Sequence, residues 1–125
     1  TDSVQKASET VSGFSRECFD LIEASQKKRN HKYIVAAQNY IAEHYMNPNL
    51  SLDMVAAHIH ANSSYLSKLF KNNLNVNFVT YLNSYRIKEA QKLLLSSDMS
   101  VKAISIQSGF NSEQNFIRVF KNMYR

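Results

Sequence analysis

The chain has 125 residues with 15 basic and 10 acidic side chains, one cysteine, two glycines and one proline. That length suffices for one domain that folds without staples, and the single Cys18 excludes an internal disulfide or a thiolate zinc site within one chain. So few glycines and prolines argue against turn-rich β folds and Gly-rich phosphate loops. No apolar run approaches a membrane span, and no signal peptide opens the chain. The charge is uneven: residues 1–26 sum to −3 and residues 27–125 to +8, with the change of sign at Lys27-Lys28-Arg29. A basic block of that size suits nucleic acid, though a basic surface kept for solubility or a face for an acidic protein fits the charge equally well.

Residues 1–30 read as a polar, amphipathic helical lead-in whose stripe is Val11, Phe14, Cys18, Leu21 and Ile22. Cys18 is expected to be buried on that stripe as a small hydrophobe. The run 25–30 has no apolar residue and reads as a linker or an exposed helix. Residues 31–46 predict a helix with Ile34, Ala37, Ile41 and Tyr45 on one face, stopped by Asn47-Pro48-Asn49. Ser51 caps a short helix carrying Leu52, Val55, Ala56 and Ile59. After His60-Ala61-Asn62 a helix over about 63–73 turns Leu66, Leu69 and Phe70 inward. Its outer face holds Ser64, Tyr65, Ser67, Lys68 and Lys71.

A longer helix is expected over about 77–95. Its apolar stripe is Phe78, Val79, Leu82, Tyr85, Ala90, Leu93 and Leu94, with Arg86, Lys88 and Lys92 largely off it. Ser100 caps a short helix with Val101, Ile104 and Ile106, and Gly109-Phe110-Asn111 makes a turn. A last helix over about 112–123 points Phe116, Val119 and Phe120 inward and Gln114, Asn115 and Arg118 outward. The prediction is an all-α chain of seven helices, lead-in included.

Two stretches of this string repeat. Ser-Leu-Asp-Met-Val from Ser51 matches Ser-Val-Lys-Ala-Ile from Ser100 at an offset of 49. Leu66–Asn72 matches Phe116–Asn122 at an offset of 50, which places one extra residue in the second turn. Each unit is a short helix, a tight turn and a helix with a basic outer face, the helix-turn-helix pattern. In that pattern the first helix braces a second whose polar side chains reach base edges in the major groove. Gly109 stands in the second turn where a positive φ is commonly needed. His60 occupies the matching place in the first turn at a steric cost.

On the stretch Tyr81–Leu94, on Ile104–Ser112 and on Asn115–Lys121, the sequence resembles the AraC/XylS family of bacterial transcription regulators over about 31–125. The resemblance implies two helix-turn-helix lobes (about 31–76 and 96–125) joined by the linker helix of 77–95, after a helical segment over 1–30. It implies double-stranded DNA as partner, bound in successive major-groove segments. Base readout then falls to Ser64, Tyr65, Ser67 and Lys68 in the first reader and to Gln114, Asn115 and Arg118 in the second. Ser63 and Ser64 also fit simple capping, and Tyr65 fits packing on the turn. Lys71 and Lys121 are assigned to the DNA backbone, with Asn62 and Ser112 either holding phosphates at helix starts or only capping. Arg86 resembles the family's linker-helix arginine, which braces the lobes or touches DNA.

The resemblance further implies a sensing domain ahead of residue 1 and a bracing segment beyond Arg125. It implies cytoplasmic action, activation through RNA polymerase, and a homodimer formed through the N-terminal segment or that sensing domain. No cofactor, metal or membrane is expected. His31, His44, His58 and His60 lack ligand spacing, and no acid/base or nucleophile cluster marks an enzyme. The competing reading is an all-helical protein-interaction or dimerisation module with a basic face.

Overall fold

The computed structural model describes residues 16–124. Among them are six α-helices: α1 Arg16–His44, α2 Leu52–His58, α3 Ser63–Leu69, α4 Phe78–Ser96, α5 Val101–Gln107 and α6 Glu113–Met123. The described residues contain no strand. Among the described residues, the lead-in from Arg16 onward and the first lobe's opening helix are one continuous helix, α1, where two were expected. The polar run 25–30 is helix there, of the exposed kind. Val11 and Phe14 of the expected stripe lie outside the described residues. Cys18 is exposed rather than buried, as are all side chains from Arg16 to Arg29.

The chain divides into two units, Thr1–Lys32 and Tyr33–Arg125. The second unit holds two cores. Ile34, Ala37 and Ile41 of α1 pack with Val55, Ala56, Leu66, Leu69 and Phe70, and α4 adds Phe78 and Leu82. The other core joins Ile87 and Ala90 of α4 to Ile104, Phe110, Phe116 and Val119. One helix therefore serves both lobes, its first half feeding one core and its second half the other.

This double duty changes the expected stripe of α4. Val79 and Leu94 are exposed, Ile87 is fully buried, and Arg86 is buried at 7% exposure although it was expected off the stripe. At roughly 100° per residue, the buried positions of α4 turn about the helix axis from one core to the other. A fixed apolar stripe cannot describe a helix whose packing partner changes sides.

The helix starts follow local chemistry. Ser51, Asn62, Asn77, Ser100 and Ser112 each accept a hydrogen bond from a backbone N–H in the first turn of the following helix, which satisfies donors that a helix start leaves orphaned. The first reader ends differently from the second. After Leu69 the chain widens into one π turn, Phe70–Leu74, closed by Asn75 in the left-handed region at φ 61°.

The repeat holds at the level of hydrogen bonds. At the end of α2, Ala61 N–H donates to Ala56 O and His60 N–H to Ala57 O; at the end of α5, Phe110 N–H donates to Ser105 O and Gly109 N–H to Ile106 O. Both are Schellman closures with the positive-φ residue one past the C-cap. His60 has φ 60° and Gly109 φ 100°, so the first turn adopts the left-handed conformation without glycine. The closures repeat at an offset of 49 while the caps Asn62 and Ser112 repeat at 50, so the additional residue falls between them, in Phe110-Asn111.

Candidate nucleic-acid interface

The first reader is α3. Asn62 Oδ1 accepts from the N–H of Ser64 at 2.8 Å and of Tyr65 at 3.2 Å. The cap is thus Asn62, and Ser63 instead donates its hydroxyl to Asp53 Oδ1 at 2.6 Å. That bond ties the start of the reader to the helix that braces it. Tyr65 stands edge-on to Tyr33 of α1, ring centroids 6.0 Å apart. Leu66 and Leu69 are buried beneath, which leaves Ser64, Tyr65, Ser67, Lys68 and Lys71 exposed together.

The second reader is α6. Ser112 Oγ accepts from Asn115 N–H at 3.1 Å. Phe116 and Val119 anchor the helix in the core, and Gln114, Arg118 and Lys121 are exposed with Asn115 half-buried among them. Arg118 Nη2 donates to Asn115 Oδ1 at 2.6 Å. Two side chains able to read bases are thereby held together, one turn apart. Arg118 also borders a cleft of about 180 Å³ with Thr80 and Asn83 of α4. Periodicity alone offers no signal for that neighbour.

Arg86 lies at the seam of the two cores. Its Nε donates to Tyr45 O at 2.9 Å and its Nη2 to Asn47 O at 2.8 Å, both in the turn that follows α1. Its guanidinium lies 6.0 Å from the centre of the Phe110 ring, in the second lobe. Burial pushes this guanidinium below the ordinary arginine range, but two charge-assisted bonds to carbonyls hold it. Gly109 packs on the same spot. A Cβ there would run into Tyr45 O and stand 2.7 Å from Arg86 Nε. So Gly109 meets two demands, a left-handed backbone and close contact with the other lobe. Only the first of these is legible in the sequence.

The Tyr45 phenol is pushed above its usual range, chiefly by burial and then by the negative charge of Glu89. Glu89 also accepts from Lys92 Nζ at 3.0 Å, which raises the Lys92 ammonium. Among the described residues no helix is long and apolar enough to cross a membrane.

Comparison with known proteins agrees with this geometry. Residues 55–125 match the family model of a helix-turn-helix domain. The chain is similar to the uncharacterized HTH-type transcriptional regulator YtdP of Bacillus subtilis, 38% identical over 84 residues, which are 67% of this chain and 11% of that protein. The chain therefore spans about a tenth of that relative's length. Among solved structures it resembles the C-terminal domain of the two-component response regulator yesN from Fusobacterium nucleatum. The identity is 34% and the TM-score 0.67, covering 71% of this chain and 92% of that one. The fold is also that of the DNA-binding domain of AdpA, solved in complex with a target DNA, with TM-score 0.66 at 22% identity, covering 70% of this chain and 78% of that one.

Proposed function

The chain belongs to the AraC-type helix-turn-helix family of DNA-binding transcription regulators, and on that premise we propose that α3 and α6 enter successive major-groove segments on one side of a duplex. The observation that carries this reading is the duplicated unit, with two capped readers fixed to one shared helix. Helix α4 has 19 residues and so spans about 28 Å, comparable to the ~34 Å between groove segments one helical turn apart. AdpA shares this fold and was solved on its target DNA, which supports the same use here.

In this reading Gln114, Asn115 and Arg118 read bases in one half-site, and Ser64, Tyr65, Ser67 and Lys68 read the other. Lys71 and Lys121 contact phosphates. The side-chain oxygens of Asn62 and Ser112 are committed to capping. Their part in phosphate binding is to hold the first-turn N–H groups in place. Arg86 braces the lobes and does not touch DNA. The basic excess of residues 27–125 attracts the duplex whatever its sequence.

The whole regulator then acts in the bacterial cytoplasm as an activator that contacts RNA polymerase, pairs as a homodimer through its N-terminal part, and performs no catalysis of its own. The experiment is selection of bound sequences from a random duplex library. Two half-sites about one helical turn apart are expected. Recovery of no common sequence, with binding indifferent to salt, would leave the protein-interaction reading in its place.

A further inference from the structure

One face of α1 presents a cationic surface that the two readers do not use. Ser25, Lys28, Arg29 and Lys32 follow one another at i, i+3, i+4 and i+7, so they share one helix face, where they line a shallow cleft of about 210 Å³. All four are exposed. No acidic residue occurs between Glu23 and Glu43, and among the described residues the ion pair is Lys92 with Glu89, so these three cations have no described carboxylate to balance them. Lys28 and Lys32 are like charges at i, i+4, an arrangement that disfavours the helix until an anion neutralises it.

The composition of the face narrows the partner. From Ser25 to Lys32 there is no apolar side chain, and the one ring, the His31 imidazole, does not line the cleft. A membrane-surface helix needs an apolar side to insert. A protein interface needs buried anchors, and a single strand needs rings on which bases stack. Charge and hydrogen-bond donors without any of these suit the phosphates of a duplex, which are recognised without base readout. The face also lies outside residues 55–125, the part that matches the family model.

We propose that the Lys28–Arg29–Lys32 face of α1 is a third contact with duplex DNA, holding backbone phosphates and adding affinity without sequence preference. The proposal rests on the DNA-binding reading above. The test measures affinity of the full chain for its selected duplex across a salt series, for the wild type and for Lys28→Gln/Arg29→Gln/Lys32→Gln. Each phosphate contact contributes about 0.9 to the slope of log affinity against log salt. The triple variant should therefore lose about 2 to 3 from the slope while keeping the wild-type base preference. Each single variant should lose about one third of that. A control, Lys88→Gln/Lys102→Gln, removes exposed charges elsewhere and should leave the slope nearly unchanged.

An unchanged slope in the triple variant overturns the proposal. So does a control that lowers the slope as much per charge, because the effect is then net charge and not a site. A wild-type chain without a steep slope removes the DNA reading itself, and this contact with it.

Discussion

Arg86 Nε donates to the carbonyl oxygen of Tyr45 across 41 residues of sequence, at 2.9 Å. Gly109, from the other lobe, closes over that same oxygen. The joint between the lobes is thus a backbone carbonyl shared by a buried cation and a glycine.

Replacing Arg86 by Ala removes the donor to Tyr45 O, leaves Asn47 O with the Leu50 N–H alone, and opens a hole at the seam. The expected loss is about 2–4 kcal/mol of stability, given the cost of an unsatisfied buried group and of the removed packing. Urea unfolding of the two proteins measures it. Lys reaches the site with one compact charge and no fork, so Arg86→Lys should recover only part of the loss. Full recovery by Lys would mean that the fork geometry is immaterial.

The two turns make an opposed pair of tests. His60→Gly relieves a left-handed non-glycine residue and should stabilise by up to about 1 kcal/mol, because Gly accepts that φ without strain. Gly109→Ala should destabilise by more than about 2 kcal/mol, since its Cβ meets backbone as well as an unfavourable φ. Melting temperatures moving in the same direction for both would contradict the account of the turns.

Ser108 Oγ is buried and has no hydrogen-bond partner among the described residues. The matching residue of the first lobe is Ile59. Ser108→Ala removes an unsatisfied polar atom and should stabilise by about 1 kcal/mol. A clear drop in melting temperature would show that the hydroxyl is bonded after all.

Arg118→Ala should cost about 1–3 kcal/mol of discrimination at one base pair. Asn115→Asp keeps an acceptor for Arg118 but loses the amide donor. It should alter preference at its own base pair and leave that of Arg118 intact. Asn115→Ala frees the guanidinium and should blur both positions. Selected sequences from the three variants decide between paired and independent readers.

Alkaline pH should weaken the fold. The phenols of Tyr45 and Tyr81 are both raised, chiefly by burial. Unfolded tyrosine ionises near pH 10, so the stabilisation from keeping these groups neutral is complete below that pH. It is lost as pH rises through the higher folded values. Tyr45→Phe should flatten part of the decline in melting temperature between about pH 9 and 11, and an unaltered decline would assign it elsewhere.

Much of the fold is legible because its signals are short-ranged. Caps act within three residues, so Ser51, Ser100 and Ser112 are visible in the sequence, and the repeat reveals both turns. The outer faces of α3 and α6 follow from period alone, because each helix has one core beneath it. Helix α4 has two, and its burial could not be read from one stripe. The run 25–30 fits exposed helix and linker equally, since no apolar residue marks either. The bonds of Arg86 to Tyr45 and Asn47 reach back about forty positions, and nothing in the local pattern announces them. The Asn115–Arg118 pair has the right spacing, but spacing does not reveal which donor meets which acceptor.

The shared joint also has a consequence on the DNA side. One inserted base pair moves a half-site by about 3.4 Å and rotates it about the duplex axis. A flexible tether between the readers would absorb that shift. A cation held at 2.9 Å and 2.8 Å by two carbonyls, with a glycine pressed against one of them, does not. In the proposed mode of binding the buried guanidinium acts as a ruler, setting which half-site separations the two helices accept.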